Sequence, residues 1–584
     1  MPRCDAPGPA VVPRKWRGHF PGQGRCQNRN DALLANQGRG WLYSGGWFQV
    51  EKLDYGRGIG LNEAARRSVQ TQQAAAHRLP PMNSLRRGLA VPALGALALL
   101  ALVALVIWRA GLDPENQSAF RSTPPSSTSP VEASPTTTAP PPLGPPTIAV
   151  APEDDLAALA AAQPTGTTFV LAPGIHRSGL IMPRDAQVFI GRPGAVLSGA
   201  VVLTAFETRD GLWLIPGQTA EGRVHGECGP SHPRCAYSED LFVDDQMLTH
   251  VGAISQVVPG TWFFDYANDT IYLGEDPVGR VVELSVVPYA FGGDADEVTI
   301  RDLVIEKYAV PAQEGAIDSR RHVDDRVGGA NWVIRGNVVR WNHGVGIATT
   351  TGALVEQNVV YENGQLGLAA KGEGVTITGN EIFGNNTAGF SPGWEAGGSK
   401  FTFTSGLLVE DNTVHGNAGP GLWTDIDNID TVYRRNIVTD NEGIGILHEI
   451  SYDAIIADNE VNGNGFAFDS WLWGAGIAIS TSVNVEVFDN IVDGNADGIV
   501  GVHQDRSDAP ASYGPLRLEN LSVHDNVVTG NGGWTGIGQD VGDNSVFTSR
   551  NNRFYDNVYE QEGKHFFWLN EPHTYEEWQA LGQS

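Results

Sequence analysis

The chain has 584 residues, with 39 Lys and Arg against 67 Asp and Glu, for a net charge of −28. Only six residues are Lys. No basic patch exists to neutralise phosphates, which argues against a nucleic-acid partner, and a polyanionic substrate would need a bridging cation.

Residues 1–81 show no sustained periodicity and read as a disordered tail or a mis-assigned start, because Met82-Asn-Ser-Leu-Arg-Arg makes an ordinary beginning. Residues 82–110 read as a transmembrane signal-anchor. Within them Gly88 to Trp108 carries no charge, and at about 1.5 Å per residue it can cross a bilayer core. Arg86 and Arg87 flank it and place the N-terminus in the cytoplasm. The expected location is the cell membrane, single-pass, with everything after the span extracytoplasmic; a cleaved signal peptide is the alternative. Residues 111–148 are Pro/Ser/Thr-rich and form a semi-extended stalk.

Residues 149–206 read as a cap and the first coils of a repeat. Asp154 or Asp155 opens a short helix over Leu156, Leu159 and Ala162, closing the end of the solenoid. Residues 207–290 break the period and read as a small inserted β-domain. Its hairpin signal is TWFFDYANDTIYL, turning at Asn268-Asp269. Cys228 and Cys235, in HGECGPSHPRC, form a short-loop disulfide in an oxidising compartment; a zinc site shared with His225 and His232 is the alternative.

Residues 291–563 carry the repeat. Asn-x-x-x-x-Asn recurs nine times, from Asn337/Asn342 to Asn552/Asn557, with first Asn residues 21, 22, 32, 24, 23, 31, 36 and 26 apart. A base period of this length signals a solenoid. Around each first Asn lie short β-branched runs such as LVEQNVVYEN, read as strand, corner, strand and turn. Asn tolerates left-handed angles at a tight corner, and stacked coils about 4.8 Å apart let identical amides bond in a ladder. A leucine-rich repeat is set aside because Leu is sparse. The fold class is therefore all-β: a parallel β-helix with an inserted β-domain, short capping helices and one N-terminal transmembrane helix. In residues 564–584, Thr574 with Glu577 makes a capping box and Trp578 with Leu581 the apolar face of a closing helix.

On the Asn ladder and its Gly-x-Gly-apolar runs the chain resembles the right-handed parallel β-helix family of carbohydrate-active proteins, from about Pro152 onward. The aromatic hairpin resembles the β-domain inserted in the early coils of some β-helix glycoside hydrolases, β-xylosidases among them.

Aligning coils on the Gly before the apolar residue and taking the fourth residue after it gives an outward column: Thr350, Lys371, Asp425, Glu449 and Ser480. Two carboxylates on adjacent coils cannot both ionise easily, so one pKa rises, as acid/base chemistry requires. A separation of about 5–5.5 Å is that of retaining glycosidases. The resemblance implies an Asp nucleophile and a Glu acid/base from neighbouring coils, falling on Asp425 and Glu449, with the reverse assignment open. Around them Trp394 and Trp423 offer flat faces to sugar C–H groups, with Glu395, Asp427, Asn428, Tyr452 and Asp453 as polar ligands and Trp471 and Trp473 as walls. A polysaccharide lyase or uronate epimerase is the alternative, with Lys371 or Lys400 and His448 or Tyr452 handling the proton; the Arg-rich, Asp-Pro-His and Asn-Thr-Asp signatures of known classes are missing. A non-catalytic glycan-binding surface protein is the second alternative. No cofactor is required, although Asp425, Asp427 and Asp430 are an alternative calcium set. The expected partner is a polysaccharide or oligosaccharide, and the expected state a monomer.

Overall fold

The computed structural model describes residues 145–320, 328–468, 470–560 and 563–584. The segment 88–108 expected to span a membrane, the tail before it and nearly all of the stalk lie outside them. Among the described residues no helix is long and apolar enough to cross a membrane.

Three long sheets of 13, 12 and 12 strands wrap one interior, each built almost wholly of parallel neighbours one coil apart. Alternation of side chains along each strand decides what faces inward. In the first sheet one register runs Phe169, Phe189, Ile300, Ile334, Val355, Ile377, Val409, Tyr433, Ile456, Val487, Val523 and Phe554, all completely buried. The strands are short and β-branched because each coil needs only one or two inward side chains per sheet to fill the centre.

Two Asn ladders tie the coils together. One runs from Asn337 through Asn358, Asn380, Asn412, Asn436, Asn459, Asn490 and Asn526 to Asn557, the other from Asn342 through Asn363, Asn385, Asn417, Asn441, Asn464 and Asn495 to Asn531. Each Nδ2 donates to the next Oδ1 at 2.8–3.0 Å. The ninth sequence pair is out of frame: Asn557 takes the first-ladder place and Asn552 stands one corner earlier, accepting from Leu521 N at 2.9 Å. A strand of three residues plus its corner repeats the same spacing at successive corners, so the motif alone does not fix the frame. The left-handed residue is also not the ladder Asn but the one before it, for example Gln357, Glu362, Asp411, Arg435, Asp440, Asp458 and Asp489. That turn points the following amide inward, where it bonds.

The ends are closed by helices. Asp155 caps Leu156–Ala162, accepting from Ala158 N at 3.0 Å. Leu156 and Ala160 are its buried residues, with Leu159 partly buried; Ala162, in the last turn, is exposed. At the other end Thr574 and Glu577 make the reciprocal cap of Tyr575–Ala580. Trp578 is buried there and Leu581 exposed, because the helix has already ended.

From Ala200 to Ser285 the chain leaves the solenoid and forms a four-stranded and a five-stranded sheet, mostly antiparallel. Trp262, Phe264, Ile271, Leu273 and Leu284 fill the space between them. The hairpin pairs Trp262 with Leu273 through a left-handed Asp269. Cys228 and Cys235 are joined in a disulfide, so their sulfurs are not ligands to zinc; His225 faces Gln313 and His232 faces Ser231.

A buried ion pair fastens this domain to the coils. His343 Nδ1 faces both Asp240 oxygens at 3.1 Å, and Nε2 faces Cys235 O at 2.7 Å. Both nitrogens donate, so the ring is the imidazolium. Burial opposes that charge, but Asp240 and the Cys235 carbonyl overcome it and raise the pKa above its usual 6.5. The stabilisation is complete below the unfolded value and lost as pH rises through the higher folded one. Thermal unfolding should show the melting temperature falling over that rise in the wild type; His343→Gln should flatten it.

Candidate functional site

The third sheet carries the outward column. Leu422–Asp425 and Ile446–Glu449 run in register, with Leu422 opposite Ile446 and Asp425 opposite Glu449. Leu422 and Ile446 face the interior, Trp423 and Leu447 join a separate outer apolar cluster, and by alternation the two carboxyls also emerge outside. Neighbouring strands are about 4.8 Å apart, so the two side chains leave the sheet side by side. Thr402, following Phe401 in its register with Thr424, extends the column on the next coil.

Around the pair, charges alternate. Lys400 Nζ is 2.8 Å from Asp425 and 3.8 Å from Glu395, and lies 4.0 Å from the centre of the Trp423 ring. Burial works against the Lys400 charge, yet Asp425 first and Glu395 next raise its pKa above the ordinary lysine value. Arg506 forms an ion pair with Glu449. Burial pushes the Glu449 carboxyl up, Arg506 opposes this and the Asp425 charge adds to it, leaving a pKa of about 6. Asp425 is 7% and Glu449 2% exposed. Asp425 Oδ1 and Ser480 Oγ, one coil to either side of Glu449, are buried without hydrogen-bond partners among the described residues. The register of Lys400 continues through Ala369 and Ala348 to Asp318, which binds Arg320 at 3.0 Å.

Two insertions cover this face. The first, on the coil after Asn385, bears the short helix Pro392–Glu395; Trp394 packs on Phe390 and edge-on to His225, and Glu395 accepts from Gln313 Nε2. The second, residues 504–517, brings Arg506 to Glu449 and Ser512 to Asp427, whose carboxylate accepts from Ser512 N and Oγ. Tyr513 meets Tyr452 edge-on, and the Tyr452 hydroxyl donates to Gly514 O. An open groove beside Arg506 is lined by His503, Asp505, Arg517 and Arg550.

Four expected residues have other positions. His448 faces the interior, opposite Thr424 and Ile479; Thr424 Oγ1 is 2.8 Å from its Nδ1, and burial holds its pKa at about 3. A one-residue offset along a strand reverses the face, so His448 does not reach the outer column. Asn428 is fully buried at a corner, accepting from Thr404 N and Oγ1 and donating to Ser451 Oγ at 3.0 Å. Trp423 is 3% exposed and lies beneath Lys400, so its face is taken. Asp453 accepts from Asn484 in an outer row that continues through Asn520 to Asn551. Trp471 and Trp473 pack on the outer cluster containing Leu447 and Ala478. Lys371 stands half-buried on the column with no ion pair among the described residues, its pKa lowered by burial and then by Arg320. Among the described residues no group of three or more His, Cys, Asp or Glu is arranged to hold a metal ion; in the expected calcium set, Asp425 is engaged by Lys400 and Asp427 by Ser512.

Arg506, Ser512 and Arg320 complete the site but stood outside the candidate set. The signal for the first two was the 36-residue step from Asn490 to Asn526, the longest in the ladder and so the longest loop.

These stacked sheets, Asn ladders and closing caps define a right-handed parallel β-helix protein. Residues 326–511 match the family described as right handed beta helix region. Among solved structures the chain is similar to XylC in complex with xylose, at 13% identity and a TM-score of 0.53, over 66% of this chain and 77% of that one. It is also similar to the A-module of mannuronan C-5 epimerase AlgE4 from Azotobacter vinelandii, at 13% identity and a TM-score of 0.43, over 71% and 93%. The likeness to XylC is one of fold. No curated protein sequence matches the chain.

Proposed function

We propose that the protein is a carbohydrate-active enzyme that hydrolyses glycosidic bonds in a polysaccharide or oligosaccharide, with Asp425 as nucleophile and Glu449 as acid/base. One observation carries this reading. Of two carboxyls in register on adjacent coils, one is paired with a buried ammonium and the other is raised to about 6, and environments that push two carboxyls apart assign them different roles. Asp425 would attack the anomeric carbon while Glu449 protonates the departing oxygen. Glu449, now a carboxylate, would take a proton from water, whose oxygen displaces Asp425. The fold likeness to XylC, solved with a sugar, supports the choice of substrate class. Residues 504–517 must withdraw to admit a glycan.

The full-length chain should release reducing ends from a glycan panel without the ultraviolet absorbance of an unsaturated uronate. Absorbance of that kind would move the assignment to a lyase. A specific observation favours this second reading: Lys371 stands half-buried on the same column with its pKa lowered by burial and then by Arg320, suited to abstracting a proton next to a neutralised carboxylate.

Hydrolysis should fall as pH rises through about 6, where Glu449 loses its proton. Arg506→Ala removes the charge that holds Glu449 down, so the falling limb of kcat/KM should move to higher pH. An unmoved limb would separate Glu449 from that ionisation.

The Cys228–Cys235 disulfide supports an extracytoplasmic site of action. The proposed anchor is residues 88–108, and the test is recovery of the full-length chain with membranes after a carbonate wash.

A further inference from the structure

We propose that the cavity between the inserted β-domain and the solenoid is a second ligand site, which takes a sugar acid through its carboxylate. It shares no residue with the Asp425–Glu449 site and does not rest on the hydrolase reading.

The cavity measures about 430 Å³, within the range of roughly 300–1,000 Å³ typical of small-molecule sites. Both parts of the fold wall it, with Arg234 and His250 on one side and Trp341 and His343 on the other. Its acids are engaged. Asp240 binds His343, Asp245 binds Lys307, and Glu362 accepts from Trp341 Nε1 at 2.7 Å. Arg234 is different. Its guanidinium lies 4.4 Å from the centre of the Tyr237 ring and 5.1 Å from that of Phe263, and no hydrogen bond or ion pair engages it among the described residues. A planar cation held by two rings with its donors free is preorganised for bidentate binding of a carboxylate.

His250 forms the wall beside it. Its Nε2 faces the Phe264 N–H at 3.4 Å, which places the ring proton on Nδ1, and Nδ1 is buried without a partner among the described residues. That atom is closed to the cavity as well as to bulk water, so the ring gives the cavity a fixed wall and leaves the charged contact to Arg234. The ring is stacked on Trp262 at 4.1 Å and cannot turn away freely. The side chains of Gln246, Thr249 and Thr387 complete the lining. They offer neutral donors and acceptors, suited to hydroxyl groups. An acid carrying several hydroxyls fits this set; a neutral sugar would leave Arg234 unmet.

Calorimetric titration of the full-length chain with glucuronate, galacturonate and mannuronate tests this, with glucose and inorganic phosphate as controls. At least one uronate should bind, with glucose silent and phosphate at least about tenfold weaker. Arg234→Gln should weaken the uronate about ten- to a hundredfold, as loss of a charge-assisted pair requires, while Arg234→Lys falls between. Thermal unfolding of each variant checks that the fold is intact. Silence with all three uronates, phosphate as tight as uronate, or full affinity in a folded Arg234→Gln would each overturn the proposal. Glu449→Gln should bind uronate normally; loss there would relocate the site to the catalytic face and overturn it as well.

Discussion

Glu449→Gln is expected to lower the rate on natural glycans by about 10³-fold or more while leaving the melting temperature nearly unchanged. Gln has the shape of the protonated acid, the form that Glu449 already holds below about pH 6. The substitution relieves repulsion from Asp425 and releases Arg506, and these effects oppose each other in stability. A substrate with a leaving group that needs no proton should be spared in the first step, which a structural defect would not allow. Asp425→Asn should abolish activity as well, but it takes from the buried Lys400 its nearest carboxylate, with Glu395 farther off at 3.8 Å, and breaking a buried pair costs about 3–5 kcal/mol. The two variants therefore separate chemistry from folding. Wild-type turnover in Glu449→Gln on an unactivated glycan would exclude this residue as the acid.

Asn417→Ala is expected to destabilise the fold by about 4 kcal/mol, read as a shift in the denaturant midpoint at constant slope. Asn417 Oδ1 accepts from Asn385 N at 3.1 Å and from Asn385 Nδ2 at 2.9 Å. Its own Nδ2 donates to Asn441 Oδ1 at 2.8 Å, and to Ile382 O and His415 O at 3.2 Å. Alanine strands several of these groups where water has no access, each costing about 1–3 kcal/mol. A change below about 1 kcal/mol would mean that the ladder sets register without contributing much stability.

The solenoid was legible because its determinants are local and repeated. The Asn spacing recurs nine times with β-branched runs around it, and Gly-x-Gly-apolar runs follow several of the pairs. The alternation of faces placed Asp425 and Glu449 on the same side without further information. Misplacements arose where a single offset matters. His448 lies one residue from Glu449 and faces inward, and Asn428 reads as a surface ligand although it fills a corner. Asn552 and Asn557 carry the right spacing in a shifted frame. The remaining gap concerns reach. Arg506 and Ser512 arrive through a loop whose path no periodicity encodes. Lys400 covers the Trp423 face because of an ion pair formed in three dimensions.

The ladder bond spanning 36 residues, from Asn490 to Asn526, is 2.9 Å long, and the bond spanning 21, from Asn337 to Asn358, is 3.0 Å. The frame thus takes no account of how much chain lies between two rungs. Segments such as 386–396, 465–475 and 504–517 can lengthen, shorten or be exchanged without any coil changing register. The geometry that holds the scaffold is thus separate from the geometry that shapes its outer face. The coils transmit a fixed rail of outward positions, and the loops are cassettes that decide what the rail meets.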